Sequence, residues 1–192
     1  WHENDLDENE LTLKLEPKSS LVTNPFNMLT ALELLGAENY EIDSVTADAI
    51  KADAPLLREA DKHELSRRFT RILLTRNISG VMARFPEVFS AIEPELLKAQ
   101  RYKERYYDST LWEHISKSVE FAPPQADIRY AMLFHNVGIP DCRCHDSHGN
   151  TFFYGHGEYG RITAANFFEK YRVELQLRSD TDMLIESHDI SI

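Results

Sequence analysis

Apolar residues recur along this chain at intervals of three and four, in runs short enough to predict helix after helix. Phe26, Met28, Leu29, Leu32, Leu34 and Leu35 follow Asn24-Pro25 and end at Gly36, which supplies a cap, a first-turn proline and a glycine stop. The spacing predicts further helices over 44–54 and 61–76. The second opens with Asp61 and Glu64 in capping-box register and carries Leu65, Phe69, Ile72 and Leu73 on one face. Two short helices are expected over 78–85 and 92–100, broken by Pro86 and Pro94. Further on, 109–122 carries an apolar stripe of Leu111, Ile115, Val119 and Ala122, with His114 turned toward the core side. In 125–137, Ile128, Ala131, Met132 and His135 share a face; in 158–171, Ile162, Ala165, Phe168 and Tyr171 do; and in 178–187, Met183 and Leu184 point inward. Only Leu11-Thr12-Leu13-Lys14-Leu15 alternates as a strand would, after a polar lead-in over 1–10, and its partner is not evident. The expectation is an all-α helical bundle with at most one vestigial strand pair. A charged, tyrosine-rich connector over 101–108 divides its two parts.

Charge narrows the partners. With 32 acidic against 21 basic residues among 192, the net charge of −11 repels a phosphate backbone on average. A local basic face survives on the 61–76 helix in Arg67, Arg68 and Arg71, read either as a solvated face or as one that contacts phosphate. The apolar runs fall far short of the roughly 20 residues of a membrane helix, and no charged-then-apolar leader opens the chain, so no membrane partner is expected. Cys142 and Cys144 are too close in sequence to bond each other well, which suits a reducing compartment and predicts a cytoplasmic protein. The same pair with His145 and His148 is too tightly spaced for an ordinary structural zinc site. Trp1 in place of Met predicts a processed or cut chain.

The chemistry lies in the histidines. His114, His135, His156 and His188 fall on separate predicted segments, with Asn136 and Asp189 beside two of them. Inward imidazoles on adjacent helices make half a metal site.

Their order carries a resemblance. Trp112-Glu113-His114, then Arg129 through His135, then Phe153-Tyr154-Gly155-His156, then His188-Asp189 resemble the HD domain of bacterial tRNA nucleotidyltransferases and poly(A) polymerase-like proteins. The helix after Asn24-Pro25 resembles the one that follows the polymerase head in that family, with Asn27 and Thr30 where the family carries arginines. The resemblance implies a lead-in with a vestigial strand over 1–23, a helical module over 24–105 and an HD-like domain over 106–192 that ends before the family's last acidic ligand. It also implies a divalent metal (Mn, Ni, Co, Mg, Fe or Zn) held by His114, His135 and Asn136, with His156, His188 and Asp189 as further ligands. His135 and Asn136 would form the catalytic centre, and nucleotide or RNA would be the partner, with Arg67, Arg68 and Arg71 as RNA contacts.

Two departures change that expectation. Asn136 stands where the family has Asp: the amide keeps a carbonyl oxygen but loses the charge that offsets a cation's dehydration. Ile139 stands where the family has a lysine able to meet phosphate. The head's signature, Gly-Ser or Gly-Gly followed by paired aspartates, does not occur, so nucleotide addition is not expected of this chain. The expected function is a degenerate, weakly active or inactive metal-dependent phosphohydrolase; the alternative is a helical scaffold that binds RNA or protein without catalysis. Natural loss and deliberate substitution read alike at 136 and 139.

Overall fold

The computed structural model describes residues 11–13, 21, 23–37, 40–103 and 109–188. The lead-in over 1–10, the second half of the expected first strand, most of the 101–108 connector and Asp189 lie outside the described residues. The fold is an all-α bundle. In chain order it comprises β1 (Leu11–Leu13), α1 (Phe26–Gly36), β2 (Tyr40–Ile42), α2 (Ser44–Asp53), a 3-10 segment (Ala54–Glu59), α3 (Lys62–Leu73), α4 (Ile78–Arg84), α5 (Pro86–Ile92), α6 (Leu96–Arg101), α7 (Leu111–Phe121), α8 (Ala126–Phe134), β3 (Cys144–His145), β4 (Thr151–Phe152), α9 (His156–Lys170) and α10 (Leu175–Ser187). Among the described residues, no helix is long and apolar enough to cross a membrane.

Several local expectations change. The first strand has a partner: β1 runs parallel to β2, Leu11 opposite Tyr40 and Leu13 opposite Ile42, and β3 and β4 form a second, antiparallel pair. A parallel partner must come from beyond a crossover, so local alternation does not reveal it. Pro86 starts a helix instead of breaking one, because at the first helical position its missing N–H forfeits no bond. The capping box at 61–64 is half formed. Asp61 accepts from the Glu64 backbone N–H at 2.8 Å, but the Glu64 carboxylate is taken by Arg67 and Arg68. A complete box sits instead at Thr110 and Glu113, at the start of α7.

One core spans the chain from Leu21 to Ile185, with contributions from both sides of the 101–108 connector. Its centre is aromatic: Phe69, Tyr130, Phe134, Phe167 and Phe168 meet at centroid separations of 5.1 to 6.4 Å. The polar tips of its large rings are partnered, as burial demands. Trp112 Nε1 donates to Met82 O at 3.0 Å, Tyr171 Oη donates to Ile92 O at 2.6 Å, and Tyr130 Oη meets Thr70 Oγ1 at 2.9 Å.

Two charged side chains are buried among the described residues, Glu93 and Arg129, the latter only 4% exposed. Its guanidinium donates to Leu73 O and Thr75 O at 2.6 and 2.7 Å, and to Glu120 O and Ala122 O at 3.4 and 3.2 Å. These carbonyls sit at the C-terminal ends of α3 and α7, where helix dipoles point their negative ends at the cation. A single side chain thus ties the ends of two helices to a third.

Two stripes are rotated from expectation. On α9 the buried residues are Gly160, Thr163, Ala164, Phe167 and Phe168, while Ile162 is 54% exposed and Ala165 is exposed. On α10, Thr181 and Ile185 are buried and Met183 is 58% exposed. In both cases a threonine stands on the inner face and part of the expected stripe still holds: Phe168 and Tyr171 are buried and Leu184 packs against the core, while Ile162, Ala165 and Met183 face outward.

Candidate functional site

The four histidines come together at the ends of helices. His135 is the residue that ends α8, His156 begins α9, His188 ends α10 and His114 lies in the first turn of α7. Ring centroids are 5.7 Å apart for His114 and His135, 5.4 Å for His135 and His188, and 5.3 Å for His156 and His188. His114 does not turn to the core. The buried face of α7 is Leu111, Trp112, Ile115, Ser116 and Val119, and His114 stands beside it, exposed, at the rim of a cavity.

Two glycines bring the segments this close. A side chain on Gly160 of α9 would lie 2.4 Å from Phe134 O, so α9 can lie against the end of α8 only without one. A side chain on Gly138 would lie 2.7 Å from His156 O and 2.6 Å from Tyr159 Cβ. The turn after Asn136 is held further by Lys98 of α6, whose Nζ donates to Asp141 and Tyr159 Oη at 2.9 Å and pairs with Glu95 at 2.8 Å. Tyr159 in turn donates to Glu95 at 2.6 Å. Hydrogen bonds that Lys98 donates to Glu95, Tyr159 and Asp141 push its ammonium up, so it stays charged.

The rings are aimed by backbone. Nδ1 of His135 donates to Met132 O at 2.8 Å, Nδ1 of His156 to Phe153 O at 2.8 Å and Nδ1 of His188 to Ile185 O at 2.5 Å, each carbonyl three residues earlier. A carbonyl only accepts, so each Nδ1 carries a proton and each ring's Nε2 lies on its other side. Metal-ligating histidines are commonly oriented by this kind of bond. Burial, with His188, His114 and His156 close by, holds His135 down at about 4, so it is neutral at pH 7.

The Nε2 atoms meet in two pairs. Asn136 Nδ2 donates to His114 Nε2 at 3.1 Å and to His135 Nε2 at 2.8 Å, its two amide hydrogens spanning two imidazoles. His156 Nε2 and His188 Nε2 approach to 3.2 Å. With both Nδ1 atoms bonded to carbonyls, that approach suits one shared proton or a cation that takes both lone pairs. Among the described residues, no three His, Cys, Asp or Glu side chains are already gathered as a metal-holding group. The pairing explains this. The Asn136 amide bridges His114 and His135, and the second pair stands beside them, the His135 and His188 ring centroids 5.4 Å apart. The donor set fits a cation that prefers imidazole, such as Ni, Co, Zn or Fe, better than Mg or Mn, which prefer oxygen. Loading one requires the Asn136 amide to turn so that its oxygen, not its nitrogen, faces the rings.

The arginines do not join this group. Arg67 and Arg68 both bond Glu64, Arg68 also donates to Thr30 Oγ1 at 2.9 Å, and Arg71 lies 3.7 Å from Glu33. Cys142 and Cys144 are both thiols. Two groups that shape the site are not evident in its motifs: the Gly138 and Gly160 pair, and the Lys98 network. A glycine inside an otherwise helical pattern, as at 160, is the available signal for close packing.

Compared with protein-family models and with curated proteins, the chain matches none of either.

Proposed function

We propose that this chain is an HD-type, metal-dependent phosphohydrolase of reduced activity, in a reducing compartment such as the cytoplasm. The observation that supports the reading is the proximity of four imidazoles from four helix ends, neighbouring ring centroids 5.3 to 5.7 Å apart, three of the rings with Nδ1 bonded to a carbonyl. His114, His135, His156 and His188 would hold the cation, with Asn136 Oδ1 as a neutral fifth donor; Asp189 stays in the set by resemblance alone. The chemistry such a cation supplies is activation of water near neutral pH and compensation of phosphate charge. In the reaction, the oxygen of water bonds to phosphorus, the bond from phosphorus to the ester oxygen breaks, and the departing oxygen takes a proton. The chain's own part is to orient the rings, keep His135 neutral and hold the turn of Asn136 against α9.

Without a carboxylate at 136, the site lacks the charge that would draw a hard cation, so turnover is expected to be low. The alternative, an RNA-binding scaffold, draws little support from Arg67, Arg68 and Arg71, whose charges are answered by Glu64 and Glu33. Calorimetric titration with nickel and with magnesium, alongside phosphoester hydrolysis, tests the proposal. Nickel should bind more tightly than magnesium, His135→Ala and His188→Ala should abolish binding, and Asn136→Asp should raise hydrolysis. No binding by either ion and no hydrolysis in the parent or the Asn136→Asp protein would overturn it.

A further inference from the structure

Next to the histidines lies a cavity of about 280 Å³ that the metal-site reading does not use. Tyr102, Leu111, Ile139 and Phe153 make its apolar and aromatic walls, and His114 and Asn136 line it as well. The same two residues are bonded to each other and, through Asn136, to His135. A molecule in the cavity therefore reaches the histidine centre directly. Backbone closes the wall, since Leu111 N donates to Tyr102 O at 3.2 Å.

The walls decide what kind of group fits. An apolar ring gains about 25 cal/mol for each Å² it removes from water, whereas a phosphate pressed against Ile139, Leu111 and Phe153 loses hydration there and finds polar groups only on the side of Ser109, Thr110, His114 and Asn136. The volume is near the lower end of the roughly 300–1,000 Å³ of small-molecule pockets, which suits one ring system and not a run of several units. Among the described lining residues none is Lys, Arg, Asp or Glu. Ile139 is the telling member: it lies in the turn that follows Asn136, where it adds wall and no charge.

We propose that this cavity is the subsite for the flat, uncharged organic part of a phosphate monoester, and that Ile139 and Phe153 select esters with one ring and one phosphate over esters with further phosphates. This rests on the phosphohydrolase reading for the phosphate end, while the two selecting residues, Ile139 and Phe153, are not among the proposed ligands. Ester and water exchange as above, with the ring-bearing alcohol as the departing product.

Binding by fluorescence, with 1-naphthyl phosphate, methyl phosphate and pyrophosphate as probes and a parallel nickel titration of each sample, tests it without relying on turnover. Naphthyl phosphate should bind at least tenfold tighter than methyl phosphate. Phe153→Ala should erase that preference and Phe153→Tyr should keep it. Ile139→Lys should weaken naphthyl phosphate and strengthen pyrophosphate, each severalfold. Ile139 and Phe153 are only partly buried, so the variants should keep the parent's thermal midpoint. Equal binding of naphthyl and methyl phosphate, or a preference untouched by both Phe153→Ala and Ile139→Lys, overturns the subsite even if nickel binds. A ring preference that responds to these variants in a protein that binds no nickel upholds the subsite and removes the metal reading instead.

Discussion

Arg129 and the histidine group are both polar clusters at helix ends, yet they are finished differently. Arg129 directs its guanidinium to four carbonyls at the ends of α3 and α7, and only its Nε is buried without a partner. His135, His156 and His188 each satisfy one ring nitrogen on the backbone; the other nitrogen of His135 meets Asn136, and those of His156 and His188 meet each other. Arg129 thus spends its terminal nitrogens on the backbone of other helices, whereas each of these histidines bonds a carbonyl three residues earlier and meets a neighbouring side chain with its second nitrogen. The comparison separates them without reference to conservation.

The largest test of it is Arg129→Ala. Four carbonyls at two helix ends lose their donor, and unsatisfied buried groups cost about 1–3 kcal/mol each before relaxation. A net loss of about 4 kcal/mol is expected, seen as a fall of about 10 °C in the thermal midpoint. Nickel affinity of the protein that remains folded should not change; if it falls with stability, the two clusters are one.

Acid should strike the other cluster. The folded state holds His135 at about 4, below its ordinary 6.5 and among His114, His156 and His188, so between these values the unfolded chain binds the extra proton. The contribution is fully present above about pH 6.5 and is lost as pH falls toward 4, a change of roughly 3 kcal/mol for the metal-free protein. Denaturant unfolding across that range should show it, and His135→Leu should flatten the profile.

Smaller effects sharpen the contrast. Gly160→Ala should cost about 2 kcal/mol as α9 is pushed from the end of α8, and should weaken nickel by separating His135 from His188. Asn136→Asp should do the reverse, raising nickel affinity about tenfold, or about 1.4 kcal/mol. Lys98→Met should cost within about 1 kcal/mol, since its partners are partly exposed, and a larger loss of nickel than of stability would mark it as a positioning residue.

Much of the fold was legible in the sequence because most helices carry a one-sided apolar stripe between recognisable caps. The meeting of His114, His135, His156 and His188 was legible from their order. What escaped was relational. The inner face of α9 includes Gly160 and Thr163, which periodicity counts as polar or neutral, so Ile162 and Ala165 were assigned inward in their place. Arg129 reads as a surface residue until the carbonyls of α3 and α7 are brought to it. Asn136 reads as a weakened ligand, and only geometry gives it a second property: its amide nitrogen bridges two imidazoles.

The carbonyls that aim His135 and His188 belong to the final turns of α8 and α10. Fraying of a single turn would therefore disarm a ring while leaving its covalent chemistry intact. Amide exchange at those two termini, slowed when a cation is captured, would register occupancy of the centre from the backbone alone.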